Sequence, residues 1–447
     1  MTALLRFFAA GADAPPITDR AEIDRLYRHH RLRVMIAITL GYGLIYTCRL
    51  ALGVVKKPLI DQGIFTPVEL GIIGSALFYT YALGKLTNGF LADHANIRRF
   101  LTVTFLITAL CNLAMGFATT VWVAALIWGL NGWFQSAGAP SGVVAMTAWF
   151  SNSERGRIYG IWSTAHSIGE GLTFVMVGSL AALLGWQFGF WGPGVLGLVT
   201  ALGCWWLLRD RPQTLGLPPV AQWRNDRYST EAKGSAGSVL RTQLSILKIP
   251  AIWVLAISSA LTYVTRYAID SWGVLYLQEV RGYSLPMAGT LLMLSTLAGI
   301  AGAIAFGFIS DKWFATRRPP ANLLFAILEL AGLLLIFFGP ASTVTLVAGM
   351  LLFGMGLTGL VTSLGGLFAV DIAPKRVAGA AMGVIGVFSY IGAAIQEHVS
   401  GALIESGMRI VDGHRHYDFG PAIWFWIGSS VLSMLLAASL WRTRLND

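Results

Sequence analysis

The chain has 447 residues, 55% of them hydrophobic and only 12% charged, with 16 Trp and 51 Gly. Soluble domains carry about twice that share of charge, so this much apolar surface excludes an ordinary aqueous core and makes the bilayer the natural solvent. The formal net charge of +10 would suit a nucleic-acid partner, but the placement of the basic residues along the chain excludes one.

An N-terminal tail, residues 1–32, opens with a short apolar piece, Ala3 to Ala10, and continues with mixed charge. It lacks a secretory signal pattern. A span needs roughly 20 apolar residues. Six such stretches follow, centred near Ile38, Phe78, Leu106, Leu130, Ile168 and Leu196, giving a first half over 33–208. A polar stretch, 209–248, rich in Gly, Pro, Ser and mixed charge, reads as a linker. Six more spans centre near Leu261, Ala298, Leu328, Met355, Ile385 and Ser430, giving a second half over 249–441 and a short tail over 442–447. The predicted fold class is an all-α membrane protein of twelve transmembrane helices in two pseudo-symmetric six-helix halves. Cys48, Cys111 and Cys204 lie in apolar runs and read as small core residues.

With both termini taken as cytoplasmic, 24 Lys and Arg fall on the terminus side. Five fall on the opposite side: Lys56, Lys57, Arg281, Arg409 and Arg415. The excess follows the positive-inside rule. It predicts a multi-pass protein of the cell (inner) membrane whose partner is the lipid bilayer and not nucleic acid. The halves also resemble each other. Tyr46-Thr-Cys-Arg49 returns as Tyr263-Val-Thr-Arg266 after 217 residues, and Gly89-Phe-Leu-Ala-Asp93 as Gly307-Phe-Ile-Ser-Asp311 after 218. Two matches at nearly one offset point to a duplicated half.

Three cations fall inside spans: Arg49, Lys85 and Arg266. A cation in mid-bilayer is costly and faces a cavity or a partner. Arg49 and Arg266 hold equivalent places, so a two-fold arrangement points them at each other. An anion between them would relieve their repulsion, and guanidinium forks suit phosphate oxygens. Arg266 also has Asp270 at i+4 as a structural partner. Lys85 stands at helical spacing from Tyr81, and His166 is expected to pair with Glu170 at i+4. Tyr42 and Tyr46 near Arg49, and Tyr263 and Tyr267 near Arg266, offer hydroxyls to an anion. Gln396, Glu397 and His398 read either as sugar-contacting or mutually paired, and Glu329 as peripheral. The loop with Asp93 and Arg98, and its counterpart at Asp311, reads as a gate in which Asp93 caps a helix end. No P-loop, metal-ligand cluster or nucleophile–base pair occurs, so no enzyme, cofactor or metal is expected.

The stretches Gly41-Tyr-Gly-Leu-Ile-Tyr-Thr-Cys-Arg49, Gly84-Lys85, Asp93-His-Ala-Asn-Ile-Arg98 and Asn131-Gly-Trp-Phe-Gln-Ser-Ala-Gly-Ala-Pro140 carry a family resemblance. So do Ser153-Glu-Arg-Gly156, Trp162-Ser-Thr-Ala-His166, Tyr263-Val-Thr-Arg266 and Asp270-Ser-Trp-Gly273. Over nearly its whole length the chain resembles the organophosphate:inorganic phosphate antiporter family of the major facilitator superfamily. Ala12 to Asp24 and Arg209 to Pro218 are most similar to its hexose-phosphate sensor branch, which holds receptors and carriers alike. The resemblance implies the major facilitator fold and a phosphate grip by Arg49 and Arg266, with Lys85, His166, Tyr46 and Tyr263 lining the cavity. Three positions depart from relatives: Val144 replaces an Arg, Ala139 a Trp of the glycerol-phosphate carriers, and Glu170 a Gly. The implied function is exchange of a hexose 6-phosphate for inorganic phosphate. The alternative is a receptor for external hexose phosphate that signals to a sensor-kinase partner.

Overall fold

The computed structural model describes residues 3–226, 245–314, 317–372, 378–411 and 414–442. The expected linker residues 227–244, the basic pair Lys375 and Arg376, and the last residues of the C-terminal tail lie outside the described residues. We label the long helical segments α1 (Arg20–Asp61), α2 (Pro67–His94), α3 (Ile97–Met115), α4 (the consecutive helices Val121–Gln135 and Gly138–Trp149), α5 (Asn152–Leu184) and α6 (Phe188–Leu207). After the linker come α7 (Pro250–Glu279), α8 (Leu285–Lys312), α9 (Arg318–Phe338), α10 (Thr343–Ile372), α11 (Ala378–Ser406) and α12 (Gly420–Ser439). Every expected span centre, from Ile38 to Ser430, lies inside one of them. Among the described residues, ten helices are long and apolar enough to cross a membrane. Of the other two segments, α2 carries polar groups into its length and α4 is broken by a turn at Ser136 and Ala137. An antiparallel hairpin of β1 (Met408–Val411) and β2 (His414–Tyr417) joins α11 to α12 and departs from the all-helical expectation.

Local sequence explains several helix starts. Thr66 and Glu69 form a reciprocal capping box at the start of α2, with Pro67 in the first turn. Ser151 and Glu154 do the same for α5. The start of the linker is ordered against the first half. Trp223 stacks on the buried Tyr27 with ring centroids 4.1 Å apart and donates its indole N–H to Asp24 at 2.6 Å.

α2 packs on α11, α5 on α8 and α1 on α7. At the end of the molecule where α2 and α8 begin, these helices meet backbone to backbone. A methyl group placed on Gly71 would stand 2.6 Å from the Glu397 carbonyl oxygen, and one on Gly289 2.4 Å from that of Phe174. Such close approach requires residues without a Cβ. At the end that carries the termini, Gly89, Gly156 and Gly383 face nothing within 4 Å, and Lys85, between α2 and α11, is exposed. The helices converge at one end and part toward the other.

Candidate functional site

The site begins with a break in α1. Tyr46 interrupts the regular helix, and the Arg49 amide bonds back to the Tyr46 carbonyl at 3.0 Å, three residues away. Such a break leaves carbonyls that need donors. Gln135 of α4 donates to the Ile45 carbonyl just before the break at 3.4 Å, and Asn112 of α3 and Asn131 of α4 each donate to the Cys48 carbonyl just beyond it at 2.9 Å. These amides fix the turn that aims Tyr46 and Arg49 at the seam with α7.

Arg49 is buried and has no carboxylate at ion-pairing distance among the described residues. Its Nη2 donates to the Tyr267 hydroxyl at 3.0 Å, on the other side of the seam. Its Nε is buried without a hydrogen-bond acceptor. Aromatic faces surround the charge: Tyr81 at 4.3 Å, Tyr46 at 5.1 Å and Tyr390 at 5.1 Å from the guanidinium carbon. Ring quadrupoles attract a cation but do not cancel its charge.

Arg266 reaches the opposite way, from α7 toward the first half. Its Nη2 donates to Glu170 of α5 at 2.9 Å and to the Tyr46 hydroxyl at 3.5 Å. Its Nε donates to Asp270 at 3.2 Å, the i+4 pair expected from spacing. The rings of Tyr267 and Tyr263 lie 5.4 and 5.6 Å from its guanidinium carbon. Tyr46 and Tyr267 touch both arginines, so the two cations share one aromatic setting. A cavity beside Arg266 is lined by His166, Glu170, Asp270, Ser295, Thr296 and Thr358, among others.

The remaining sequence-read residues fall around this core. Lys85 points its ammonium at Tyr390, 5.2 Å from the ring centre. Tyr42 stacks on Trp162, with centroids 5.1 Å apart. His166 places Nδ1 2.5 Å from the Ser163 carbonyl oxygen and lies 6.1 Å from the Tyr46 ring. The expected His166–Glu170 pair is replaced by the Glu170–Arg266 bond, because a permanent guanidinium is a stronger partner for a carboxylate than a titratable imidazole.

The gate residues lie apart from the arginines. Asp93 is exposed, and the cap it was expected to form is made by Asn96, whose side chain accepts from the Arg99 amide at 3.2 Å. Arg98 donates to the Trp205 carbonyl at 2.7 Å and covers that indole. Asp311 pairs with Arg318 at 2.9 Å, which also binds Asp371.

Sequence reasoning missed three features. Tyr390, in α11, sits between Arg49, Lys85, Tyr81 and Tyr263; a tyrosine in an apolar span was the available signal. Lys56, expected outside the membrane, is fully buried and bonds Glu397 of α11 and Ser271 of α7, each at 2.9 Å, with the Trp272 ring at 3.3 Å. Its place near a span end disguised it. Glu329, expected to be peripheral, is buried against Thr265 and Ser430.

Residues 38–396 match the sequence profile of the Major Facilitator Superfamily. The chain is 36% identical to "Membrane sensor protein UhpC" of Salmonella typhimurium, over 88% of this chain and 89% of that one. It is 32% identical to "Probable hexose phosphate transport protein" of Chlamydia pneumoniae, over 91% and 92% of the two chains. Its fold matches the crystal structure of a bacterial homolog to human lysosomal transporter Spinster with a TM-score of 0.74, at 18% identity and covering 92% of this chain and 96% of that chain.

Proposed function

The chain belongs to the Major Facilitator Superfamily, in its organophosphate:phosphate antiporter branch, and from that premise we propose that it exchanges a hexose 6-phosphate for inorganic phosphate by alternating access. The observation that carries this reading is the pair of buried arginines at the seam, each bonded to a residue of the opposite half. A phosphoryl dianion seated between them would be held from both sides. Arg49 offers a buried cation without a carboxylate, which is what an incoming anion needs.

The site couples to the seams through its own bonds. Arg49–Tyr267 and Arg266–Glu170 both span α1 or α5 on one side and α7 on the other. An anion that neutralises the cluster favours the arrangement in which both arginines contact it, and a ligand shifts a conformational equilibrium only by such a difference in affinity. Without an anion, bringing two cations together is opposed by their repulsion. That asymmetry yields one-for-one exchange. The aromatic lining supplies flat faces for a sugar ring, and Lys85 adds positive charge on the open side. In this reading both termini are cytoplasmic, the open end faces the cytoplasm, and the halves are 33–208 and 249–441, joined by the linker 209–248.

The test is counterflow. Proteoliposomes containing the purified protein and loaded with phosphate should accumulate labelled glucose 6-phosphate, and unloaded vesicles should not. The likeness to a membrane sensor protein favours a second reading, a receptor that binds external hexose phosphate and acts through a sensor kinase. Tight glucose 6-phosphate binding without accumulation would select it over the carrier.

A further inference from the structure

At the end of the molecule that carries the termini, α1, α3 and α6 bring three arginines together. Arg33 donates through Nη2 to the Trp206 carbonyl at 2.7 Å, and Arg98 through Nε to that of Trp205 at 2.7 Å. Arg209 donates through Nη1 to the carbonyls of Trp206 and Leu208, at 3.3 and 3.2 Å. The last turn of a helix has carbonyls without partners and attracts cations. That accounts for these bonds but leaves three like charges within reach of one another: Arg98 feels Arg209 and Arg33, and Arg209 feels Arg33. Other arginines of this end are answered by carboxylates: Arg20 and Arg25 by Asp24 and Glu22, Arg31 and Arg224 by Glu154, and Arg211 by Asp13. Among the described residues Arg33, Arg98 and Arg209 have no such partner. Asp210, beside Arg209, accepts instead from the amides of Gly11 and Ile97, at 3.1 and 2.8 Å. Arg98 lies over the Trp205 ring at 4.3 Å, and among the described residues its Nη1 and Nη2 have no acceptor. That pair of nitrogens is an edge suited to two phosphate oxygens.

We propose that Arg33, Arg98 and Arg209 form a binding site for the headgroup phosphate of an anionic phospholipid, whose acyl chains lie along α1 and α6. The second observation is the apolar surface below the cluster. Leu32, Ile36 and Leu40 are exposed on one face of α1, and Val199, Leu202 and Trp206 on one face of α6. α1 packs on α6, and Arg33, next to Leu32, bonds the Trp206 carbonyl, so both rows start at the level of the arginines. At 1.5 Å per residue they run about 12 Å and about 10 Å toward mid-membrane. Tryptophan at the upper edge marks the interface, where headgroups lie, and basic pockets between spans are the sites that hold anionic headgroups. A phosphate ion from solution would meet the arginines but leave the rows unused. The site is remote in the fold from Arg49 and Arg266 and needs only the membrane placement of the chain, whether the protein carries its substrate or senses it.

The experiment is native mass spectrometry of the purified full chain in detergent, titrated with phosphatidylglycerol or with phosphatidylcholine of the same acyl chains. Wild type should retain phosphatidylglycerol and bind phosphatidylcholine, whose charge is cancelled by its own choline, far more weakly. An arginine facing an anionic headgroup contributes about fivefold in affinity. Arg209→Gln should therefore weaken phosphatidylglycerol binding about fivefold, and the triple change Arg33→Gln, Arg98→Gln, Arg209→Gln about a hundredfold. Arg209 holds only carbonyls at its own helix end, so the single variant carries the test if the triple variant does not fold. Arg20→Gln with Arg25→Gln, which removes two cations already paired nearby, should keep wild-type binding. Equal retention of the two lipids by wild type overturns the proposal. So does unchanged binding by Arg209→Gln, or a loss as large in the Arg20 and Arg25 control, which would make the attraction a property of diffuse surface charge. Displacement of phosphatidylglycerol by an equal concentration of glycerol phosphate, which has the headgroup chemistry without the chains, would overturn the lipid assignment in favour of a soluble phosphate.

Discussion

Lys56 and Arg49 sit on one helix, seven residues apart, and both are buried, yet their surroundings are opposite in kind. Lys56 has a carboxylate from α11, a hydroxyl and an indole face from α7, and close backbone contact around it. Arg49 has tyrosine hydroxyls and several ring faces, and among the described residues its buried Nε has no acceptor and no carboxylate pairs with it. The first cation is saturated by the protein and ties α1 to α7 and α11. The second is left short of an anion. A buried charge is tolerated only with compensation, so on the proposed function the difference separates a latch from a ligand site.

The largest expected effect breaks the ligand side. Arg49→Lys retains the charge but loses the planar fork, and hydrogen bonds to charged groups are worth roughly 1.5–3 kcal/mol. Phosphate–glucose 6-phosphate counterflow should fall about a hundredfold, with thermal unfolding in detergent little changed; wild-type exchange rates in this variant would remove Arg49 from the grip. The latch side should respond in the reverse sense. Glu397→Gln leaves Lys56 buried without its anion, a defect of about 3–5 kcal/mol. Its melting temperature should drop, and a second change, Lys56→Met, should recover most of the loss. A Glu397→Gln protein as stable as wild type would show that the pair does not hold the closed end.

Smaller effects sharpen the boundary between the two. Tyr390→Leu removes a face shared by Arg49 and Lys85, and with cation–π contacts worth about 0.5–2 kcal/mol it should weaken glucose 6-phosphate binding by about tenfold. Tyr390→Phe keeps the face but removes the hydroxyl that bonds Arg49, and should bind between wild type and the leucine variant, which titration would reveal. Lys85→Gln should weaken binding least, by about fivefold, since an exposed charge acts through screened attraction. The defect should vanish at high salt. A loss that is the same at all ionic strengths would mean that Lys85 contacts the ligand directly.

Much of this was readable from the chain because a bilayer makes charge conspicuous. Arg49, Lys85 and Arg266 stand out in apolar runs, and the motif shared by Tyr46-to-Arg49 and Tyr263-to-Arg266 announces their equivalence. The helical positions follow from the minimum length of a span. Partner choice was not readable. Glu170 and Arg266 are 96 positions apart, and the nearer histidine at i−4 is the partner that helix periodicity suggests. Lys56 and Glu397 are separated by 341 positions, and each sits where a span boundary or a local pair seemed sufficient. Asn112, Asn131 and Gln135 are ordinary polar residues in sequence. Their role appears only beside the carbonyls that flank the α1 break.

The sequence by itself determined that the chain is helical, lies in a membrane and carries cations where lipid would reject them, since hydropathy and charge are properties of single residues and short windows. Tertiary structure alone decided which cation is answered by a carboxylate and which, among the described residues, is not. That choice depends on distances of a few ångströms between helices remote in sequence, where a charge is either matched or exposed to whatever anion enters.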